Sequence, residues 1–139
     1  MQATQEKRMV NLEDKRTIEQ AKVIAIKYLE KGNFKIVAQD YTSTAGVADY
    51  VFYEKDDLVF ASVGLGDNEG NFPEHDCSSE RKAAERIALD YFTSHPHINS
   101  CRVRFDNIDV CFAGPSGQQA MVKHHRDAYS TDDDYSPIG

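Results

Sequence analysis

Tryptophan is absent from this chain, proline occurs four times and cysteine three times. No stretch of about eighteen apolar residues runs uninterrupted, which argues against a membrane-spanning helix. The opening MQATQEKRMVNLEDKR has no apolar core segment, so no secretory signal is expected. Cys77, Cys101 and Cys111 form no CxxC pair and are odd in number; a reducing, cytoplasmic setting is the expectation. Basic residues are also scarce: 16 Lys and Arg face 23 Asp and Glu, a net charge of -7. Between Asp40 and Glu80 there are ten acids and one base, Lys55. A face that binds duplex nucleic acid needs the opposite sign. Any such contact must therefore use a local patch, and the candidates are Arg81, Lys82 and Arg86, or Arg102 and Arg104.

What is present is enough apolar material, 40% of 139 residues, for one domain with one core. Ile18, Ala21, Ile24, Ala25, Tyr28 and Leu29 recur at helical spacing. The form TIEQ from Thr17 to Gln20 is a capping box, and Gly32-Asn33 ends the helix. FKIVA (34–38), DYVFY (49–53) and LVFASV (58–63) read as strands, the last two joined by a four-residue EKDD loop. Residues 64–77 read as a loop. Ser78 or Ser79 then caps a second helix with the stripe Ala83, Ala84, Ile87, Ala88, Tyr91 and Phe92. CRVRF and IDVCFA give one broken strand or two short ones. The divisions are an N-terminal extension over 1–16, entered by the first helix if it begins at Asn11, a domain over 17–115, and a partly flexible acidic tail over 116–139. The order α-β-β-β-α-β predicts an α/β sandwich, a mixed sheet flanked by helices.

That order, together with YLEKGNFKIVAQDY, the GVAD at Gly46–Asp49, LVFASV and RFD, resembles the YraN-like family of bacterial proteins, which carry the restriction-endonuclease-like, or PD-(D/E)XK, fold. The family pattern has a Gly-Glu followed by AArYL, then GyrIlarNyR, GEIDLI, VFVEVK and a late RFDV. Ala25, Tyr28 and Leu29 match its first helix; Phe34, Ile36, Ala38 and Asp40-Tyr41 match its next strand. Gly46 and Asp49 fall on the Gly and Asp of GEID, Val59-Phe60 on the start of VFVEVK, and Arg104-Phe105-Asp106 on RFD. The likeness covers residues 17–112.

The resemblance implies a nuclease site, and the departures fall on it. Such a site uses two carboxylates to hold a divalent cation and a lysine beside the attacked phosphate. Of the motif positions, Asp49 alone is retained. The GEID glutamate is Val47, the second carboxylate is Ser62, the lysine is Gly64, and the first-helix glutamate aligns with Lys22. The hairpin-turn acids Glu54, Asp56 and Asp57 lie about 13 Å of strand from Asp49 and cannot replace the missing ligands. Glu19, or Glu69, Glu74 and Asp76 folding back from the loop with Lys82 as base, are the routes by which a site could relocate.

Other signals are weaker. GLGDNEG lacks the lysine of a phosphate loop, and Asp67 and Glu69 would repel phosphate. His75, Asp76, Cys77, His95 and His97 are zinc-ligand types, but their spacing matches no framework and a helix separates the two groups. His124 and His125 read as exposed tail. Arg104 and Asp106 share one strand face and read as a partly exposed ion pair worth at most about 1 kcal/mol. The expectation is a catalytically inactive nuclease-fold protein, binding nucleic acid or a protein partner, with no cofactor and no membrane association. The alternative is a metal-dependent endonuclease or Holliday-junction-resolvase-like enzyme, using Mg²⁺ or Mn²⁺, with relocated residues. A homodimer, or an acidic interaction protein that mimics a nucleic-acid backbone, is the third expectation.

Overall fold

The computed structural model describes residues 18–67, 70–75, 77–98, 101–114 and 119–129. Helix α1 is described over 18–31 and stops at the Gly32-Asn33 turn, where the Gly32 N–H donates to the Leu29 carbonyl at 3.2 Å. Strands β1 (Phe34–Ser43), β2 (Gly46–Glu54) and β3 (Asp57–Leu65) follow as an antiparallel meander. Helix α2 (Cys77–Ser94) then crosses to β4 (Arg102–Ala113), which lies parallel to β3. Strand β5 (Gln119–His125) pairs antiparallel with β4, giving a five-stranded mixed sheet in the order β1-β2-β3-β4-β5.

The period-two alternation of the strands divides the core into two layers. Tyr50, Phe52, Val59, Ala61, Ile108, Val110 and Phe112 pack with Ala21, Ala25 and Leu29 of α1. Val51, Leu58 and Phe60, pointing the opposite way, pack with Ile87, Ala88 and Tyr91 of α2. The expected mixed α/β architecture with two helices is therefore present. Ile18, the first residue of the predicted α1 stripe, is 52% exposed.

Three local expectations change. The hairpin loop is two residues, not four: Glu54 pairs with Asp57, and Lys55 takes a left-handed φ of 55° to close the turn. Residues 102–113 form one continuous strand, stabilised on both sides by β3 and β5. The domain also runs past residue 115. Residues 119–125 form the edge strand β5, and Tyr129 beyond it is buried and donates its hydroxyl to Asn107 Oδ1 at 2.9 Å. The N-terminal extension 1–16 and residues 130–139 of the tail lie outside the described residues.

The loop after β3 determines what faces the strand ends. The Gly66 N–H donates to the Val110 carbonyl at 2.8 Å, so the chain leaves β3 still bonded to β4. Asp67 then binds Asn71 through backbone and side chain, turning the loop back. That return brings Pro73 against Gly64 of β3 and His75 against Asp109 of β4.

Candidate functional site

Asp49 sits where β2 and β3 part. Their last paired residues are Tyr50 and Ala61, so the Val63 N–H is beyond the ladder and donates to Asp49 Oδ2 at 2.7 Å. Asp49 Oδ1 lies 3.3 Å from Lys22 Nζ, and the same ammonium lies 2.8 Å from Asp40 Oδ1. Tyr50 fixes α1 at this level by donating its hydroxyl to the Lys22 carbonyl at 2.8 Å. The hydrogen bond to Asp40, opposed by partial burial and aided by Asp49, raises the Lys22 pKa. The structure thus unites Lys22 and Asp49, two of the sequence candidates, as an ion pair. Val47 is 45% exposed on the same strand and offers no ligand. Glu19 and Glu74 are exposed, whereas Glu69 and Asp76 lie outside the described residues.

Gly64, at the motif lysine position, is opposite Asp109 in the parallel register. A Cβ on Gly64 would collide with Asp109 Oδ1 and reach 3.0 Å from Pro73 Cγ. The space is closed. Asp109 is fully buried, and His75 Nε2 lies 3.0 and 3.1 Å from its two oxygens. The other ring nitrogen, Nδ1, lies 3.0 Å from Glu80 Oε1, and His125 Nε2 lies 3.2 Å from Asp109 Oδ2. A neutral imidazole has one N–H. An imidazole with a carboxylate at each nitrogen is therefore held as the cation. Burial opposes the charge, but the bonds to Glu80 and Asp109 outweigh it and raise the His75 pKa. The loop does fold back, and among its described residues it brings the His75 imidazolium, not Glu74, to Asp109.

Among the described residues no three His, Cys, Asp or Glu side chains converge as metal ligands. His75 is bound as above, and His95 stacks on Tyr91 with ring centroids 3.9 Å apart, donating through Nδ1 to the Tyr91 carbonyl. Asp76 and the Cys77 side chain lie outside what is described.

Arg104 and Asp106 require the largest correction. They are buried, 8% and 1% exposed. Arg104 makes four hydrogen bonds: Nε and Nη2 to Asp106, Nη1 to Asp57 at 3.1 Å, and Nη2 to Glu54 at 2.6 Å. That guanidinium is committed to the interior and presents no free edge to a phosphate. Asp106 also accepts from His124 Nε2 at 2.7 Å and from the Asp127 N–H at 3.0 Å. Burial pushes the Asp106 pKa up, and the bonds from His124, Arg104 and Asp127 lower it overall. Glu54 falls to about 2, chiefly through Arg126 and then Arg104, against its partial burial. His124 is not exposed tail: its side chain is 4% exposed, with Nδ1 2.7 Å from the Tyr28 hydroxyl. The parity of Val122 and His124 opposite Val110 and Ile108 would have exposed this signal. Asp109, set between Ile108 and Val110, was the other missed residue. An acid inside an apolar strand marks a buried charge.

The remaining basic candidates lie on α2. Lys82 and Arg86 are exposed, and Arg81 sits 3.7 Å from Glu85 one turn on. Ser62 is half-buried at the end of β3.

These features define a mixed α/β protein whose central sheet is pinned by internal ion-pair networks at both ends of β3 and β4. No family model matches the chain. Over 115 residues it is 30% identical to a UPF0102 protein of Acinetobacter baumannii strain AYE, covering 77% of this chain and 84% of that protein. A UPF0102 protein of Geobacter metallireducens is 26% identical over 109 residues, 76% of this chain and 85% of the relative. The chain belongs to the UPF0102 family, the YraN family. No described helix is long and apolar enough to cross a membrane.

Proposed function

We propose that this chain is a restriction-endonuclease-like protein that has lost hydrolytic chemistry and acts by binding nucleic acid. The observation that carries the reading is the condition of Asp49. One oxygen accepts a backbone N–H from Val63 and the other faces the Lys22 ammonium. Magnesium requires several oxygens in near-octahedral array at about 2.0–2.1 Å. The neighbouring motif positions supply Val47, Ser62 and Gly64, and Lys22 carries the cation's own sign. The fold assignment is supported by the meander β1–β3, the crossover through α2 and the parallel β3–β4 pair. A lysine beside Asp49 replaces the mutual repulsion of two carboxylates with attraction, so the apo domain needs no metal to settle its charges. Cys101 and Cys111 are free thiols, which suits a reducing cytoplasm.

Incubation with single-stranded, flapped and four-way-junction DNA in Mn²⁺ tests the loss of chemistry. All three substrates are expected to survive intact. Metal-dependent cleavage that disappears in Asp49→Ala overturns the reading in favour of a working nuclease.

A further inference from the structure

Two open clefts of about 430 and 600 Å³ adjoin at the turn end of the β2–β3 hairpin, sharing Tyr53 and Lys55 in their walls. The first runs past Phe34 and Lys35, and the second past Asp56 and Arg102. Lys35 is the cross-strand partner of Tyr53, and Lys55 is held at the tip of the hairpin by its left-handed turn conformation. Neither side-chain ammonium makes an ion pair or hydrogen bond among the described residues. Arg102 is 72% exposed, and the carboxylate facing it, Asp57, is 4.0 Å away with its other oxygen bound by Arg104.

Three cations therefore line this region against one lining carboxylate, Asp56, in a chain of net charge -7. The acids behind them are already engaged: Glu54 by Arg104 and Arg126, Asp57 by Arg104. By contrast, the α2 surface interleaves Arg81, Lys82 and Arg86 with Glu80 and Glu85, and Arg81 faces Glu85. The concentration of positive charge is at the hairpin turn, not on the helix. Its aromatic component matters equally. Tyr53 is half-buried, its hydroxyl makes no hydrogen bond among the described residues, and Phe34 lines the adjoining cleft. An aromatic ring among exposed cations is what an unstacked base and its flanking phosphates require. The stacked bases of a duplex are not available to such a ring.

We propose that these adjoining clefts bind a short stretch of single-stranded nucleic acid, with phosphates at Lys35, Lys55 and Arg102 and a base against Tyr53. This rests on the nucleic-acid-binding reading above and moves the contact to the end of the hairpin remote from Asp49.

Fluorescence anisotropy with labelled ten-nucleotide oligo-dT and oligo-U, a duplex of equal length and a poly-glutamate competitor tests it, using the full chain. The single strands are expected to bind more tightly than the duplex. Lys35→Ala/Lys55→Ala/Arg102→Ala should weaken them about tenfold or more and flatten the salt dependence by about two logarithmic units per logarithm of salt. Tyr53→Ala should weaken binding about tenfold while Tyr53→Phe retains it. Lys82→Ala/Arg86→Ala should change little, and circular dichroism confirms that each variant is folded. Binding that resists the triple substitution but fails in Lys82→Ala/Arg86→Ala overturns this site and leaves the broader reading standing. Displacement by poly-glutamate as efficient as by oligo-dT overturns the nucleic-acid assignment in favour of an acidic protein. No binding of any oligonucleotide by the unaltered chain overturns both.

Discussion

His124 Nε2 lies 2.7 Å from a carboxylate oxygen of Asp106, which is 1% exposed. The pair joins β5 to β4 and, through Arg104, to the hairpin acids Glu54 and Asp57. Such a network holds elements in register because each member would be an uncompensated buried group without the others. Its stabilising value lies in completeness.

Asp106→Asn is therefore expected to cost about 3–5 kcal/mol in urea unfolding, because it leaves Arg104 and His124 without their central anion. Asp57→Asn, at the partly exposed rim of the same network, should cost no more than about 1 kcal/mol. Equal effects of the two substitutions would contradict a network centred on Asp106.

Gly64 tests whether the motif lysine can be put back. Its missing side chain is replaced by Asp109 and Pro73, so Gly64→Ala should destabilise by about 1–3 kcal/mol through overpacking. Gly64→Lys should be worse and should restore no cleavage. In a double-mutant cycle with Asp109→Ser, part of the cost of Gly64→Ala should disappear, since the oxygen it strikes has moved. A neutral Gly64→Ala would show that the strand end yields.

The layered core was legible in the sequence because strand and helix periods are properties of the chain itself. Ala21, Ala25 and Leu29 on α1, and Ile87, Ala88 and Tyr91 on α2, were named from spacing alone and are buried. That Val47, Ser62 and Gly64 carry no charge stood out only beside the family motif to which they were matched. What occupies the space around Gly64 was not legible. His75 and Asp109 are 34 residues apart, and their meeting depends on where the loop folds. His124 was hidden by its position near the end of the chain, although β5 pairs throughout its length with β4. Arg104 read as a surface cation because charge is usually exposed. Three carboxylates, two from the β2–β3 hairpin and one from its own strand, make its burial tolerable.

The His75 bridge makes a specific pH prediction. Its folded-state pKa is raised above the ordinary 6.5 by Glu80 and Asp109 despite burial, with His125 also facing Asp109. A raised cation pKa contributes stability fully below the unfolded value and loses it as pH climbs through the folded value. The stability difference between the unaltered chain and His75→Gln should thus be largest near pH 5.5 and shrink as pH rises above 7. Chemical denaturation across that range checks it. A difference that grows with pH would mean that the ring is neutral in the folded protein.

The ion pair between Lys22 and Asp49 makes the account of the lost metal site reversible. In the unaltered chain, millimolar Mg²⁺ or Mn²⁺ should leave Tm unchanged, because the Lys22 ammonium already occupies the space between the carboxylates of Asp49 and Asp40. Lys22→Glu removes two partly exposed pairs, with Asp40 and with Asp49, each worth at most about 1 kcal/mol, and sets like charges together, so the metal-free Tm should fall. The same substitution replaces the ammonium with an anionic ligand beside Asp49 and Asp40, and Mn²⁺ should now raise Tm in a concentration-dependent way, as any ligand bound only by the folded state does. Differential scanning fluorimetry with and without EDTA reads both effects. If the unaltered chain itself gains several degrees from either metal, Asp49 has partners other than Lys22 and Val63, and the case for a silent site fails at its root.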